Sequence, residues 1–318
     1  MSFTSDVKEE LAAIELSDNS KRAQLSALMQ LLASLSISST GLSLLISCTN
    51  AKVIKRIGWD IRALYGLRCD IEATRQKNLD KRNIYTLRIN EKTREILEDL
   101  DLWTDKGLQE HPHMAFLNHD EMIRSYLAGC FMAAGSINSP RSTNYHLEIG
   151  ANGESHGSFM IRLFDKMQIP FRMTTRRGHY LIYCKAAEAI GDCLRLFGAN
   201  EAIMEFEDIR IQRDFMNSLH RLDNVKIANE QKSLKVADEQ IEAIEFLSDR
   251  GLLKYLSDKD RQMALLRLAN PNASLNELSQ LYLEQTGVSL SKSGIRHRFE
   301  NIFALEAKYR EREEEHAG

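Results

Sequence analysis

The first 200 residues repeat one order of predicted secondary structure, and this duplication constrains the fold more than any other feature. In each half an apolar helix is followed by a hairpin, a helix, a second hairpin and a closing helix, over about residues 1–105 and 106–200. Leu25 and Leu127 occupy equivalent places, 127 − 25 = 102 residues apart. The match is one of pattern rather than identity, and it predicts an internally duplicated α+β domain.

Hydrophobic periodicity and capping residues predict the individual elements. The segment Lys21–Leu35 is apolar around most of its circumference, which is typical of a helix at the centre of a fold. Asp120–Ile137 is the corresponding helix of the second half and is rich in small residues. Near the N-terminus, Asp6 with Glu9 three residues further on predicts a reciprocal helix cap.

The character of the sequence changes after the second half. Residues 201–220 have the pattern of a helix, whereas 221–233 are polar and lack periodicity, which favours a linker. From 234 to 318 the pattern is helical throughout. We therefore predict an N-terminal domain over 1–220, a linker over 221–233 and an all-α domain over 234–318.

Composition narrows the classes of protein that remain. The chain has 318 residues, 43% of them hydrophobic, with no apolar stretch of membrane-spanning length and no signal-peptide pattern at its start. Five cysteines without a C-x-x-C pair argue against a disulfide framework and a zinc site, and we expect neither metal nor cofactor. A net charge of −3 means that nucleic-acid binding would require a local basic face. We expect a cytoplasmic protein without a membrane partner.

The central helix of the second half carries a motif. Leu127-Ala128-Gly129 followed by Ala133-Ala134-Gly135 resembles the LAGLIDADG pattern of homing endonucleases. The resemblance implies two helices that cross at the domain centre, each with an acid near its end that holds a divalent metal. Here Ala134 occupies the acid position, and Leu32 occupies it in the first half. Neither side chain offers an oxygen ligand to Mg²⁺, so we predict no catalytic residues and a lost nuclease activity.

A simpler interpretation of this helix is that Gly and Ala merely allow close packing, which is common in small-residue helices. The duplicated arrangement around the helix favours the homing-endonuclease-like fold over that interpretation.

The C-terminal part has the pattern of a helix-turn-helix. Its predicted helices are Asp258–Ala269, Leu275–Glu284 and Lys292–Glu306, with a turn at Thr286-Gly287-Val288. The second helix of such a pair enters the major groove with its first residues near the base edges. We therefore predict DNA contacts by the residues at these two helix starts: Ser274, Ser291, Lys292, Ser293, Arg296, His297 and Arg298.

An ordinary amphipathic helix with a basic start is the alternative for this last segment. Cations at a helix N-terminus oppose the helix dipole, so their clustering there indicates a partner such as DNA. His297 taken alone is equally consistent with a structural histidine.

Most of the chain resembles the WhiA family of bacterial sporulation and cell-division regulators. The segments that carry the resemblance are Ser2-Phe3, VKEEL at Val7–Leu11, AAGSINSP at Ala133–Pro140, Asn224 with Ala228-Asn229 and Lys232, SLNEL, and SKSGIRHRFENI. One departure is Val225, where the family pattern has Cys. The resemblance implies a degenerate LAGLIDADG domain, a C-terminal helix-turn-helix, and a role in cell division, chromosome segregation or sporulation.

The N-terminal domain offers a weaker candidate surface for DNA. Arg88, Arg172 and Arg176 lie on the predicted outer faces of the hairpins, but Glu72 and Glu148 share those faces. Carboxylates beside phosphates reduce affinity, so we expect at most a minor DNA contact here.

Three functions follow as hypotheses. The leading one is a sequence-specific transcriptional regulator, nucleoid-associated, whose partners are double-stranded DNA and other transcription or division proteins. A second is an active nuclease, against which Leu32 and Ala134 argue. A third is a protein-interaction scaffold or ligand-sensing module with weak DNA binding, in which the cleft between the repeats holds a partner or metabolite.

Overall fold

A computed structural model describes residues 2–38, 41–75 and 83–317, with side chains described as far as residue 313. The chain divides into two compact units, residues 1–213 and 214–318. Each unit has a hydrophobic core of its own. None of the helices in the described residues combines the length and hydropathy that crossing a lipid bilayer requires.

The first half of the N-terminal unit places a four-stranded antiparallel sheet beside four helices. Its elements are α1 (Phe3–Ala13), α2 (Asp18–Leu32), β1 (Ala33–Ser38), β2 (Gly41–Cys48), α3 (Ala51–Tyr65), β3 (Ile71–Arg75), β4 (Asn83–Ile89) and α4 (Thr93–Asp99). The strand order is β1-β2-β4-β3. Leu87 and Ile89 of β4 are buried while Arg88 is exposed, as the alternation predicts.

A small hairpin, β5 (Trp103–Thr104) with β6 (Gly107–Leu108), precedes the second half. The second half then consists of α5 (Asp120–Ala134), β7 (Gly135–Ile137), β8 (Leu147–Gly150), α6 (Glu154–Lys166), β9 (Arg172–Arg176), β10 (His179–Cys184) and α7 (Ala187–Phe197). Its strand order, β7-β8-β10-β9, is equivalent to that of the first sheet. The predicted duplication within an α+β fold is therefore confirmed.

Helices α2 and α5 pack against each other at the centre of the unit. A Cβ atom on Gly129 of α5 would lie 2.7 Å from the carbonyl oxygen of Gln24 and 2.9 Å from Cβ of Ala27, both in α2. Only glycine fits at that distance from a neighbouring backbone. The last residues of the two helices, Leu32 and Ala134, are 134 − 32 = 102 residues apart, the same offset as Leu25 and Leu127.

A buried polar network lies beside this crossing. The backbone N–H of Asn152 donates to Nδ1 of His156 at 3.2 Å, which places the proton of the neutral ring on Nε2. Nε2 is 3.1 Å from the hydroxyl of Tyr126, and that hydroxyl donates to Oε1 of Gln30 at 2.9 Å. Burial, with a smaller contribution from His111, lowers the pKa of His156 to about 4. The network therefore holds a neutral histidine.

The helix cap predicted near the N-terminus is wrong. The N-cap of α1 is Ser2, whose Oγ accepts a hydrogen bond from the backbone N–H of Ser5, rather than Asp6 with Glu9. Asp6 lies in the first turn, where its carboxylate still interacts favourably with the helix dipole, and Glu9 forms an ion pair with Lys52 at 2.8 Å. The central helices also differ in extent from the predictions, because α2 begins at a Ser17 cap and each helix passes directly into a strand.

The predicted linker is helical. Helix α8 (Asn200–Asp249) contains residues 221–233, and the boundary between the two compact units lies between Arg213 and Asp214. The segment RLDNVKIANEQKS has neither Gly nor Pro, so no residue in it interrupts the backbone hydrogen bonds of a helix. Its apolar residues Leu222, Val225 and Ile227 are each more than half exposed, so the segment has no buried face to give the sequence a helical period.

The C-terminal unit is all α. After α8 it contains a 3₁₀ helix (Leu252–Tyr255), α9 (Asp258–Ala269), α10 (Leu275–Thr286) and α11 (Lys292–Ala317). Its core takes Ile244 and Leu247 from α8, Met263 from α9, Leu278 from α10, and Ile295 from α11. The three predicted helices are present, although α10 and α11 extend further than predicted.

Candidate nucleic-acid interface

The turn between α10 and α11 is fixed by its local chemistry. Ser274 and Glu277 form a capping box at the start of α10, with the N–H of Ser274 2.7 Å from Oε2 of Glu277. Hydrogen bonds from Ser274 hold the pKa of Glu277 below its usual value. At the other end, Gly287 takes the left-handed conformation at φ +69°, which ends α10. Ser291 then accepts a hydrogen bond from the N–H of Gly294 and caps α11.

One face of α11 anchors the helix in the core of the C-terminal unit. Ile295, Phe299 and Ile302 are buried and lie at helical spacing. Gly294 fits close to this anchor, because a Cβ there would lie 2.8 Å from Cδ1 of Leu290. This packing determines which side chains at the start of α11 point away from the core.

Five of the predicted contact residues form an exposed group at the start of α11: Ser291, Lys292, Ser293, Arg296 and His297. In the described part of the chain, neither Lys292 nor Arg296 forms an ion pair or a hydrogen bond through its side chain. Nδ1 of His297 lies 3.4 Å from Oε2 of Glu300. Both side chains are exposed, so this contact contributes little to stability. We call these five residues the α11 tip; they combine two uncommitted cations with hydroxyl donors at a helix N-terminus.

The structure does not bring the other two predicted residues into this exposed group. The guanidinium of Arg298 is directed at α9, where Nη1 lies 3.2 Å from Oδ1 of Asp260, and its side chain is 17% exposed. Asp260 also accepts hydrogen bonds from Ser257 and Asn301, at 2.6 and 3.3 Å. Ser274 lies at the start of α10, where it is engaged as an N-cap.

A residue that sequence reasoning missed supports the start of α10. Arg267 of α9 is 2% exposed, and its guanidinium donates to Oε1 of Gln240 at 3.0 Å and to the backbone oxygen of Ala273 at 2.5 Å. It lies over the ring of Phe299, 5.6 Å from its centroid, and burial lowers its pKa. An arginine in the last turn of a helix, as Arg267 is in α9, gives no signal of burial in the sequence, because most of its partners come from other segments.

The homing-endonuclease-like centre carries no acid at the ends of its crossing helices. Leu32 ends α2 and Ala134 ends α5, the places where the resemblance requires a metal-binding carboxylate. Among the residues described, no cluster of three or more His, Cys, Asp or Glu side chains is arranged to hold a metal ion. The side chains at these positions therefore offer no oxygen ligand.

The outer sheet faces mix charges as predicted. Arg88, Arg172 and Arg176 are exposed. Glu72 lies opposite Thr86 in the strand register, which places it on the same face as Arg88. Oε2 of Glu148 lies 3.0 Å from Nε2 of His146. The two faces do not form a continuous basic surface.

Fold and site define a class of protein: a duplicated LAGLIDADG-like domain followed by a helix-turn-helix domain. Comparison with known families gives the same division. The WhiA N-terminal LAGLIDADG-like domain matches residues 18–103, the WhiA LAGLIDADG-like domain matches 123–216, and the WhiA C-terminal HTH domain matches 219–306.

Curated relatives match the chain along nearly its whole length. Proteins called "Probable cell division protein WhiA" are 36% identical in Latilactobacillus sakei, over 98% of this chain and 99% of the relative, and 35% identical in Enterococcus faecalis, over the same shares. The full-length WhiA crystal structure from T. maritima has 22% identity and a TM-score of 0.57, covering 97% of this chain and 99% of that one. The chain belongs to the WhiA family.

Proposed function

We propose that this protein binds double-stranded DNA through the α11 tip and acts as a sequence-specific transcriptional regulator in cell division. The observation that carries the proposal is the pair Lys292 and Arg296, two exposed cations at the start of the second helix of a helix-turn-helix that have no ion-pair partner among the described residues. That helix start is the part of such a motif that meets base edges. The role in division rests on the names of the relatives, and chromosome segregation and sporulation are alternatives within the same family.

Each residue of the tip has a proposed role. Arg296 reads a guanine through O6 and N7, which accept the two N–H groups of a guanidinium. Lys292 and the hydroxyls of Ser291 and Ser293 contact phosphates, and His297 is a further contact. We leave Arg298 out of the contact set because Asp260 engages it, and we assign Ser274 to the support of the motif.

We further propose that nuclease activity is lost. Leu32 and Ala134 replace the acids that would bind Mg²⁺, so the N-terminal unit has no means of activating a water against a phosphodiester. Arg88, Arg172 and Arg176 make at most a minor contribution to DNA binding, and the protein is expected at the nucleoid when bound to its sites. Further partners among transcription or division proteins stay a prediction.

The test is selection of bound fragments from sheared genomic DNA at one stated salt concentration, with the intact chain and with Arg296→Ala. We expect an enriched sequence motif that the substitution removes, and a loss of affinity for that motif of about 1–3 kcal/mol, or about 5- to 150-fold. Lys292→Ala and Lys308→Ala are a matched pair, since both lysines are exposed on α11 but only Lys292 is in the tip.

Lys292→Ala should weaken binding to all sequences alike and lower the slope of log affinity against log salt by about 1, whereas Lys308→Ala should change neither. An unchanged motif and affinity in Arg296→Ala would show that α11 does not read DNA.

A further inference from the structure

A cavity of about 830 Å³ opens beside the ends of the two crossing helices in the N-terminal unit. Leu32 of α2 and Met132 of α5 form part of its apolar side, with Tyr85 of β4. Its polar side comes from α1 and from the region where β2 ends, and includes Ser5, Lys8, Ser47 and Thr49. The volume lies within the range of about 300–1,000 Å³ that small-molecule sites occupy. None of its described lining residues carries a carboxylate.

Among the described residues that line the cavity, Lys8 is the single cation. Within the described residues no carboxylate lies within ion-pair distance of its ammonium, whose Nζ atom is 5.9 Å from the ring centroid of Phe131. The adjacent Glu9 is committed to Lys52 at 2.8 Å. Burial lowers the pKa of Lys8. A partly buried ammonium without a counter-charge loses hydration and gains no compensating interaction, so an anion in the cavity would supply the missing one.

Two hydroxyl groups that line the cavity with Lys8, those of Ser47 and Thr49, are free to bind a ligand. Neither the side chain of Ser47 nor that of Thr49 has a hydrogen-bond partner in the described chain, although both line the cavity. Thr4, by contrast, is engaged with the backbone of Ile137 at 2.8 and 2.9 Å, and Asn50 caps α3. An ammonium with two hydroxyl donors suits a group that carries several acceptor oxygens on one atom, as a phosphate does.

We propose that this cavity binds a small organic phosphate, with its phosphate on Lys8, Ser47 and Thr49 and its organic part against Leu32, Tyr85 and Met132. Leu32, which stands at the first-half acid position of the LAGLIDADG pattern, lines the cavity, and a phosphate here is bound without being cleaved. The proposal is independent of DNA reading by α11, because every residue in it belongs to the N-terminal unit.

Calorimetric titration of the full-length protein tests the site. The probes are adenosine monophosphate and glucose 6-phosphate, each beside its uncharged counterpart, adenosine or glucose. We expect at least one phosphate to bind at least tenfold more tightly than its counterpart, and Lys8→Met to weaken that binding at least tenfold. The control Lys106→Met removes an exposed lysine of the same unit and should leave it unchanged.

If Lys8→Met does not fold, Ser47→Ala combined with Thr49→Val takes its place, with the same expected loss. The proposal is overturned if no phosphate exceeds its counterpart, or if these variants bind the probe as the wild type does.

Lysine acylation followed by mass spectrometry separates a small molecule from a DNA phosphate. The bound organic phosphate should protect Lys8 from acylation and leave Lys106 reactive. Protection of Lys8 by a duplex oligonucleotide but by neither small phosphate would assign the cavity to the DNA backbone and overturn the proposal.

Discussion

His156 connects the stability of the N-terminal unit to pH. Its neutral ring accepts from Asn152 and lies against Tyr126, and its pKa is lowered to about 4 from an ordinary value of 6.5. The contribution of this neutral ring is fully present above pH 6.5. It is lost as the pH falls toward 4, because the unfolded chain then binds a proton that the folded chain does not.

Stability should therefore decrease by about 1.4 kcal/mol per pH unit below pH 6.5 through this residue alone. The measurement is urea unfolding at pH 7.5 and pH 5.0, followed by tryptophan fluorescence, since Trp59 and Trp103 both lie in the N-terminal unit. The wild type should lose about 2 kcal/mol more than His156→Gln between these two values. An identical pH dependence in the variant would contradict a neutral buried histidine.

Single residues also show where sequence reasoning stops. Arg296 and Arg298 are two positions apart in one basic segment, and the sequence gives no reason to separate them. The structure separates them because Asp260, 38 residues away, faces only Arg298. Local spacing predicts which residues lie on a helix start, but the partner that engages a side chain comes from a distant segment of the chain.

At the scale of elements, the crossing of α2 and α5 depends on one glycine. Gly129→Ala would place a Cβ atom 2.7 Å from backbone oxygen in α2, so the helices would have to move apart. We expect a loss of about 1–3 kcal/mol in the free energy of unfolding, as for other overpacked cores. Urea unfolding followed by tryptophan fluorescence measures it.

The control for this substitution is Gly58→Ala in α3, where the nearest atom to the new Cβ is Cδ1 of Leu87 at 3.3 Å. A side-chain neighbour can move more easily than a backbone, and alanine is the better helix former by about 1 kcal/mol. Gly58→Ala should therefore equal or exceed the wild type in stability. Equal stabilities for the two variants would show that the crossing tolerates a methyl group.

The elements themselves were largely predictable, because most rest on periodicity and on turn residues. Gly66 ends α3 in the left-handed conformation that glycine favours, and Ser274 with Glu277 three residues later has the spacing of the capping box that starts α10. Residues 221–233 were not predictable in this way, since this solvated part of α8 buries none of its apolar residues. The end of α2 was misplaced because Leu35, in β1, continues the apolar pattern of the helix.

At the scale of the whole molecule, the question is which unit holds DNA. We expect the combined substitution of Arg88, Arg172 and Arg176 by Ala to change the affinity of the full chain for its selected motif less than threefold. Glu72 and Glu148 share the faces of these arginines and oppose an approaching phosphate backbone. Three phosphate contacts would instead lower the salt slope by about 2.7, and such a decrease would assign DNA binding to the N-terminal unit as well.

The dependence of α2 on α5 has a consequence for synthesis. Helix α2, with its buried Leu25 and Leu28, contacts α3 and β2 of its own half, but its main partner is α5, which is made about 100 residues later. At about 5–20 residues per second the ribosome needs about 5–20 s for that length. During that interval the nascent first half exposes the apolar surface of a helix that belongs at the centre of a domain. The nascent chain should therefore need chaperones most before its second half emerges. A translational stall between the two halves should be more damaging than a stall elsewhere.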